Sequence, residues 1–249
     1  MSTVKVQQHG KVSVISINRP ERRNALCKDT VLELQATFAD FDASEQRVAI
    51  LTGEGDEAFC AGADLDNAQE MWRELWRCVP TVGITTEKPI IAATAGWCVG
   101  AGLVLVAMCD LAIAADNTKF MYPEAKVGLF GGFIVGLTAR IPHKIAMEMI
   151  MLGRTVDARR AYEIGLVNRV VPKGRQVEEA VAIAEEMGGY APLVLRTMKR
   201  FVTQHILPKG PSEQMGALIR NLEIVNLSED CKEGVTAFKE KRAPAFIGR

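Results

Sequence analysis

The chain has 249 residues, 48% of them hydrophobic and 24% charged, and its 30 basic residues balance its 30 acidic ones. Such figures fit a globular chain of one or two domains and exclude a disordered or collagen-like one. A zero net charge supplies no basic excess for nucleic acid or for an anionic membrane surface. Alternating apolar residues predict strands at 4–8 and 11–18 around the turn His9-Gly10. A helix is expected from about 29 to 41, where Val31, Leu32, Leu34, Phe38 and Phe41 share one face. A short buried strand at 47–52 ends at Gly53-Glu54-Gly55. The small-residue loop Phe59-Cys60-Ala61-Gly62-Ala63-Asp64 then leads into a helix carrying Trp72, Leu75 and Trp76. Further strands are expected at 89–95 and 111–115, with a helix at 100–108 between them. Residues 124–128 read as a loop or short strand, 134–152 as helix with a junction at Pro142, 157–164 as a short helix and 167–171 as a strand. Beyond Pro172 only helices are expected, at 176–187, 192–205, 212–227 and 229–240.

This alternation of strands and helices predicts an α/β fold with crossover connections and at least partly parallel sheets. Residues 1–190 read as the strand–helix core and 191–249 as a helical tail. The six cysteines form no C-x-x-C pair and no histidine stands near enough to complete a zinc site, so free thiols, no metal and a reducing cytoplasmic setting are expected. The start Met1-Ser2-Thr3-Val4-Lys5 has no apolar signal core, and the longest apolar stretch, 103–115, is interrupted by Asp110 and too short to cross a bilayer. No membrane association is expected.

The most informative stretch is Lys88-Pro89-Ile90-Ile91-Ala92-Ala93-Thr94-Ala95-Gly96-Trp97-Cys98-Val99-Gly100-Ala101-Gly102, a strand, a glycine turn and a helix start. The first turn of a helix leaves backbone N–H groups unpaired under a partial positive charge. Small residues let an oxygen reach those groups, which suits a phosphate or a developing oxyanion. Tight helix–strand packing would use the same residues. Gly100-Ala101-Gly102 matches a dinucleotide fingerprint only in part, since its third glycine position holds Leu105. No G-x-S-x-G motif is present, which argues against a serine hydrolase.

The two small-residue loops follow Asn18-Arg19-Pro20-Glu21-Arg22-Arg23-Asn24-Ala25-Leu26 and precede Met108-Cys109-Asp110-Leu111-Ala112-Ile113-Ala114-Ala115, Pro123-Glu124, the run from Ala161 through Gly165-Leu166-Val167, and Ala237-Phe238-Lys239-Glu240-Lys241-Arg242. In this order the segments resemble the crotonase family, also called the enoyl-CoA hydratase/isomerase family, over nearly the whole chain. The resemblance implies a spiral of ββα units with a C-terminal helical trimerisation region, assembled as a homotrimer or a hexamer of paired trimers. It implies an acyl-CoA thioester as substrate, with no cofactor beyond the coenzyme A the substrate carries. By the same resemblance Ala63 and Ala101 supply the oxyanion-hole N–H groups. Arg23, Ala25, Ala61, Asp64 and Leu65 would hold the CoA moiety, with Phe238 and Lys241 reaching it on a neighbouring subunit. Trp72, Trp76, Val104, Tyr122, Phe130 and Phe133 are expected around the acyl pocket, where packing roles compete for the tryptophans and for Tyr122.

Family hydratases carry two glutamates that hold one water. Here the first of those positions is Val104, and only the second, Glu124, twenty residues on, is acidic. Valine cannot exchange a proton, so a single glutamate is expected to shuttle one between carbons, which favours enoyl-CoA isomerisation. Hydration or hydration–cleavage, decarboxylation and CoA binding without turnover remain the alternatives. The family also contains an RNA binder, for which zero net charge gives no support.

Overall fold

The computed structural model of the chain describes residues 2–64, 66, 71 and 73–249. Val4–His9 (β1) and Val12–Ile17 (β2) pair antiparallel around Gly10, whose φ of 55° the tight turn requires. Helix Lys28–Ala43 (α1) buries Val31, Leu34, Phe38 and Phe41, one face at helical spacing. From there three passes of the chain follow one plan: a strand in a large sheet, a strand in a small sheet, then helical residues. The first pass is Val48–Gly53 (β3), Ala58–Cys60 (β4) and a segment ending in the 3-10 turn Leu75–Cys78. The second is Ile90–Thr94 (β5), Trp97–Val99 (β6) and Ala101–Met108 (α2). The third is Leu111–Ala115 (β7), Lys119–Met121 (β8) and Glu124–Val127 (α3).

After helices His143–Leu152 (α4) and Ala158–Glu163 (α5), Val156–Asp157 (β9) and Arg169–Val171 (β10) complete the sheets. The large sheet runs β1-β2-β3-β5-β7-β10, parallel after its first pair, and the small one runs β4-β6-β8-β9. The passes form the spiral of ββα units that the resemblance implies. Both faces of the large sheet are covered, and the period of two along β3 shows it: Ala49 and Leu51 pack toward α1 and α2, Val48 and Ile50 toward Gln176–Gly188 (α6). All eight residues of α2 are buried, as an all-apolar helix requires. Pro192–Phe201 (α7), which runs on into the π turn Val202–Ile206, Pro211–Asn226 (α8) and Glu229–Glu240 (α9) carry many exposed apolar side chains.

Two expectations are corrected. The small sheet, unseen in the sequence reading, turns the 58–60 loop into a strand; three-residue strands are too short to display a period. Residues 124–127 form a helical turn, closed by Gly128 at φ 69°. The stretch 134–152 divides at Pro142 as expected, into a 3-10 segment, Phe133–Ala139, and α4, with Pro142 as the N-cap of the latter.

One tie between the tail and the core is a half-buried cation. Lys199 Nζ donates to Asp110 Oδ2 at 2.7 Å and to the Lys88 carbonyl at 2.8 Å, while the same carboxylate oxygen accepts from Ile90 N–H at 2.7 Å. Lys199→Met strips a partner from each acceptor and should cost about 1–3 kcal/mol in urea unfolding. Lys173→Met, at an exposed pair 3.8 Å from Glu57, should change stability by less than about 0.5 kcal/mol.

Candidate active site

β4, β6 and β8 lie side by side, so the chain leaves all three at the same edge of the small sheet. After β4, the bridge between Leu26 and Ala63 uses Leu26 N–H to the Gly62 carbonyl and Asp64 N–H to the Leu26 carbonyl, both 2.8 Å. In a parallel bridge the flanking residues make those bonds, so the N–H of Ala63 points away from Leu26. After β6, Gly100 adopts φ 56° and ψ −114° and α2 begins with no side-chain cap. Ala101, its first residue, therefore keeps a free N–H. Glycines let the two loops touch. A Cβ on Gly102 would lie 2.6 Å from the Cys60 carbonyl oxygen, and one on Gly62 would lie 3.2 Å from that of Val99. Ala63 and Ala101 both line one cavity of about 480 Å³.

After β8, Gly100 N–H donates to the Met121 carbonyl at 2.9 Å, and the next three residues bring Glu124 across the start of α2. A Cβ on Gly100 would land on Glu124 Oε1, so glycine there leaves the carboxylate its place. Glu124 Oε2 is buried and has no hydrogen-bond partner among the described residues. Burial pushes the Glu124 carboxyl up to about 7, against the pull of a backbone hydrogen bond. Burial, and then the neighbouring charge of Glu124, holds the Tyr122 phenol well above its usual range. Glu124 is the one carboxylate among the described residues lining the cavity. The remaining lining is chiefly apolar: Met71, Leu75, Val104, Leu129, Phe130 and Phe133, beside Tyr122.

The predicted pocket residues Val104, Tyr122, Phe130 and Phe133 thus meet around Glu124, with Phe130 at the open rim, 69% exposed. Trp76 does not join them. It is buried behind the wall, close to Gly216 of α8 and under the Arg77 guanidinium, 4.7 Å from its ring. Leu75, which the reading passed over for its aromatic neighbour, takes the lining position. Met71 was also missed, since no sequence signal marks which apolar residue faces a void. Leu65 and Trp72 lie outside the described residues.

The expected CoA loop is one network. Asp64 pairs with Arg19 and Arg22, each at 3.0 Å, and Arg22 also pairs with Asp66. Burial alone would raise the Asp64 carboxyl, but hydrogen bonds from Arg22 and Arg19 hold it below the usual range. Arg19 Nη1 reaches the Ala25 carbonyl at 2.5 Å, and Ala61 N–H donates to the Arg23 carbonyl at 3.0 Å. Arg23 and Asn24 take φ of 49° and 55°, and the Asn24 amide repays that strain by donating to the Glu54 and Ala58 carbonyls. Arg19 and Asn24 went unmarked in the sequence. Phe238 and Lys241, both exposed at the end of α9, do not line the cavity of their own chain.

The ββα spiral thus brings the Ala63 and Ala101 loops and one raised carboxyl to a single, chiefly apolar cavity. The enoyl-CoA hydratase/isomerase family profile matches residues 7–249, and the chain belongs to that family, whose members act on acyl-CoA. It is 35% identical to the carnitinyl-CoA dehydratase of Citrobacter koseri, over 97% of either chain. It is 34% identical to the (E)-benzylidenesuccinyl-CoA hydratase of Thauera aromatica, over 99% of this chain and 98% of that one. Among solved structures, the enoyl-CoA hydratase of Bacillus anthracis superposes with a TM-score of 0.77 at 31% identity, over 99% of this chain and all of that one.

A carboxyl raised from 4.5 to about 7 binds its proton more tightly folded than unfolded, so stability falls as pH rises through that window. Glu124→Gln should therefore melt at a higher temperature than the parent at pH 8, with the advantage fading below pH 4.5. An equal difference at both pH values would overturn the buried assignment. Gly100→Ala should push the carboxylate out of place and lower kcat about 100-fold, the scale of a lost general base, which steady-state kinetics on any turned-over acyl-CoA would read.

Proposed function

We propose that the protein moves a proton between carbons of an enoyl-CoA, shifting its double bond. The observation that carries this reading is Glu124, among the described residues the one carboxylate lining an apolar cavity and one whose Oε2 has no hydrogen-bond partner, with Val104 where a second acid would be needed to share a water. The thioester oxygen accepts from Ala63 and Ala101 N–H. Glu124 takes a proton from C2 of a 3-enoyl-CoA, and the electron pair moves through C1 onto the thioester oxygen, giving a dienolate conjugated with the C3–C4 double bond. The same carboxyl exchanges its proton with solvent and protonates C4, leaving the conjugated 2-enoyl-CoA. Each oxyanion donor lowers such a barrier by about 2.7–4 kcal/mol, and a carboxyl near 7 can both accept and donate at neutral pH.

The dehydratase and hydratase names of the relatives support a second reading, in which Glu124 alone activates water. In either reading the CoA moiety is held by Arg23, Ala25, Ala61, Asp64 and Leu65, and no cofactor is needed beyond the substrate's own coenzyme A. The exposed apolar faces of α7, α8 and α9 support assembly as a trimer or a hexamer, which would bring Phe238 and Lys241 to a neighbour's CoA.

In deuterated buffer a 3-enoyl-CoA should gain conjugated-thioester absorbance and carry label at C4. The rate should rise with pH through about 7 as Glu124 ionises, and Glu124→Gln should lower it about 100- to 10,000-fold. Addition of water to a 2-enoyl-CoA without any isomerisation would select the hydratase reading. Undiminished exchange in Glu124→Gln would remove Glu124 from both.

A further inference from the structure

Helix α8 lies behind both walls of the acyl cavity without lining it. Its first turn meets the 128–136 wall. A Cβ on Gly132 would land on Ser212 Oγ, and one on Gly136 would lie 2.7 Å from Glu213 Oε1. Glu213 is 4% exposed, and its Oε1 accepts from Gly210 N–H at 3.4 Å, which fixes the carboxylate at the helix start. Arg140, on the wall side, donates to the Gly136 carbonyl at 2.7 Å.

Farther along, Gly216, Arg220 and Glu223 stand four and three residues apart, on one helical face. That face grips the other wall. A Cβ on Gly216 would lie 2.5 Å from Val82 Cγ1 and 3.2 Å from Trp76 Cβ, so glycine sets how near the helix comes. Arg220 Nη1 donates to the Val82 carbonyl. Glu223 takes Arg77 in a two-point pair, one arm at 2.8 Å, while Arg77 Nε donates to Glu74 at 2.6 Å. The two walls meet where Leu75 Cδ2 stands 3.8 Å from the position of a Cβ on Gly131.

We propose that α8 is a splint that sets the width of the acyl cavity at this corner, with Glu213, Arg220 and Glu223 as positioning residues that decide which acyl sizes enter. The two-point arginine–carboxylate pair is directional as well as attractive, and Arg77 and Glu223 are only 18% and 28% exposed, so water competes with it weakly. The oxyanion amides and Glu124 sit on the 62–64 loop, α2 and α3, none of which this pair holds. Loosening the splint therefore widens the acyl end and leaves the reacting groups where they are. The proposal rests on the reading of this cavity as the acyl site and not on which reaction follows.

Binding of unreactive saturated ligands tests it apart from turnover. CoA, butyryl-CoA and 3-phenylpropionyl-CoA would be titrated calorimetrically into the parent, Glu223→Gln and Arg220→Met, with melting temperatures alongside. A methylene-sized change in a pocket discriminates ligands about 10- to 200-fold, so each variant should shift the ratio of the two acyl-CoA Kd values about 10-fold toward the phenyl ligand, with Kd for CoA unchanged. A stability loss that leaves the ratio at its parental value, or weakens both acyl-CoAs equally, overturns the splint. Should Glu223→Gln fail to fold, Arg220→Met cuts the same wall free at a single hydrogen bond and decides alone. If the parent binds neither acyl-CoA more tightly than CoA, the acyl-site reading falls, and the splint with it.

Discussion

The rest of the site depends on one contact made almost without side chains. Residues 60–63 and 100–102 come together backbone to backbone, at distances that only Gly62 and Gly102 permit. That approach places the free amides of Ala63 and Ala101 on one cavity although 38 residues separate them. Any Cβ at Gly102 would have to displace the Cys60 carbonyl, moving the first loop away from the second. The parallel pairing of β4, β6 and β8 makes the contact possible, because it brings three successive passes of the spiral to one edge. Two amides supplied by backbone cost no side-chain ordering when charge develops on an oxygen between them.

Against this fixed frame stands one charge in an apolar room. Glu124 reaches the cavity because β8 carries the chain past Gly100, and Gly100 has nothing at Cβ to block the carboxylate. Burial without a hydrogen-bond partner for Oε2 among the described residues weakens the fold while Glu124 is ionised, and it raises the carboxyl's proton affinity toward neutral pH. With valine at 104, the opposite side of the site contributes shape and dryness and no proton. The cavity walls are apolar and held from behind, by Arg77, Arg220 and the buried start of α8, so polar residues shape the acyl space while remaining outside it.

Much of this was legible residue by residue. The two small-residue loops, the glutamate and the valine could be picked out because small residues at a strand-to-helix turn, and an acid beside a proline, stand out by identity and spacing, and the fold brings them to one cavity. The pocket walls were less legible. Between Leu75 and Trp76 the sequence favoured the larger ring, whereas the fold turned Leu75 to the cavity and buried Trp76 against α8. Helical spacing shows that a residue is apolar and on an inner face, but not whether that face meets packed core or a void. The small sheet escaped for a related reason: strands of two or three residues are stabilised by neighbours from other passes of the spiral, and leave no period of their own.

The sequence by itself determined the family, the α/β alternation, the pair of glycine-bearing loops and the acid at 124 with valine at 104. These are local properties, written in residue type and spacing. Tertiary structure decided what depends on distance between separated segments: that Ala63 and Ala101 share one cavity, that Glu124 is buried enough to be raised to about 7, and that α8 grips both walls at once. A pKa set by desolvation and a wall held by a salt bridge 146 residues away in sequence exist only when the chain is folded, because each is a property of what surrounds a group in space.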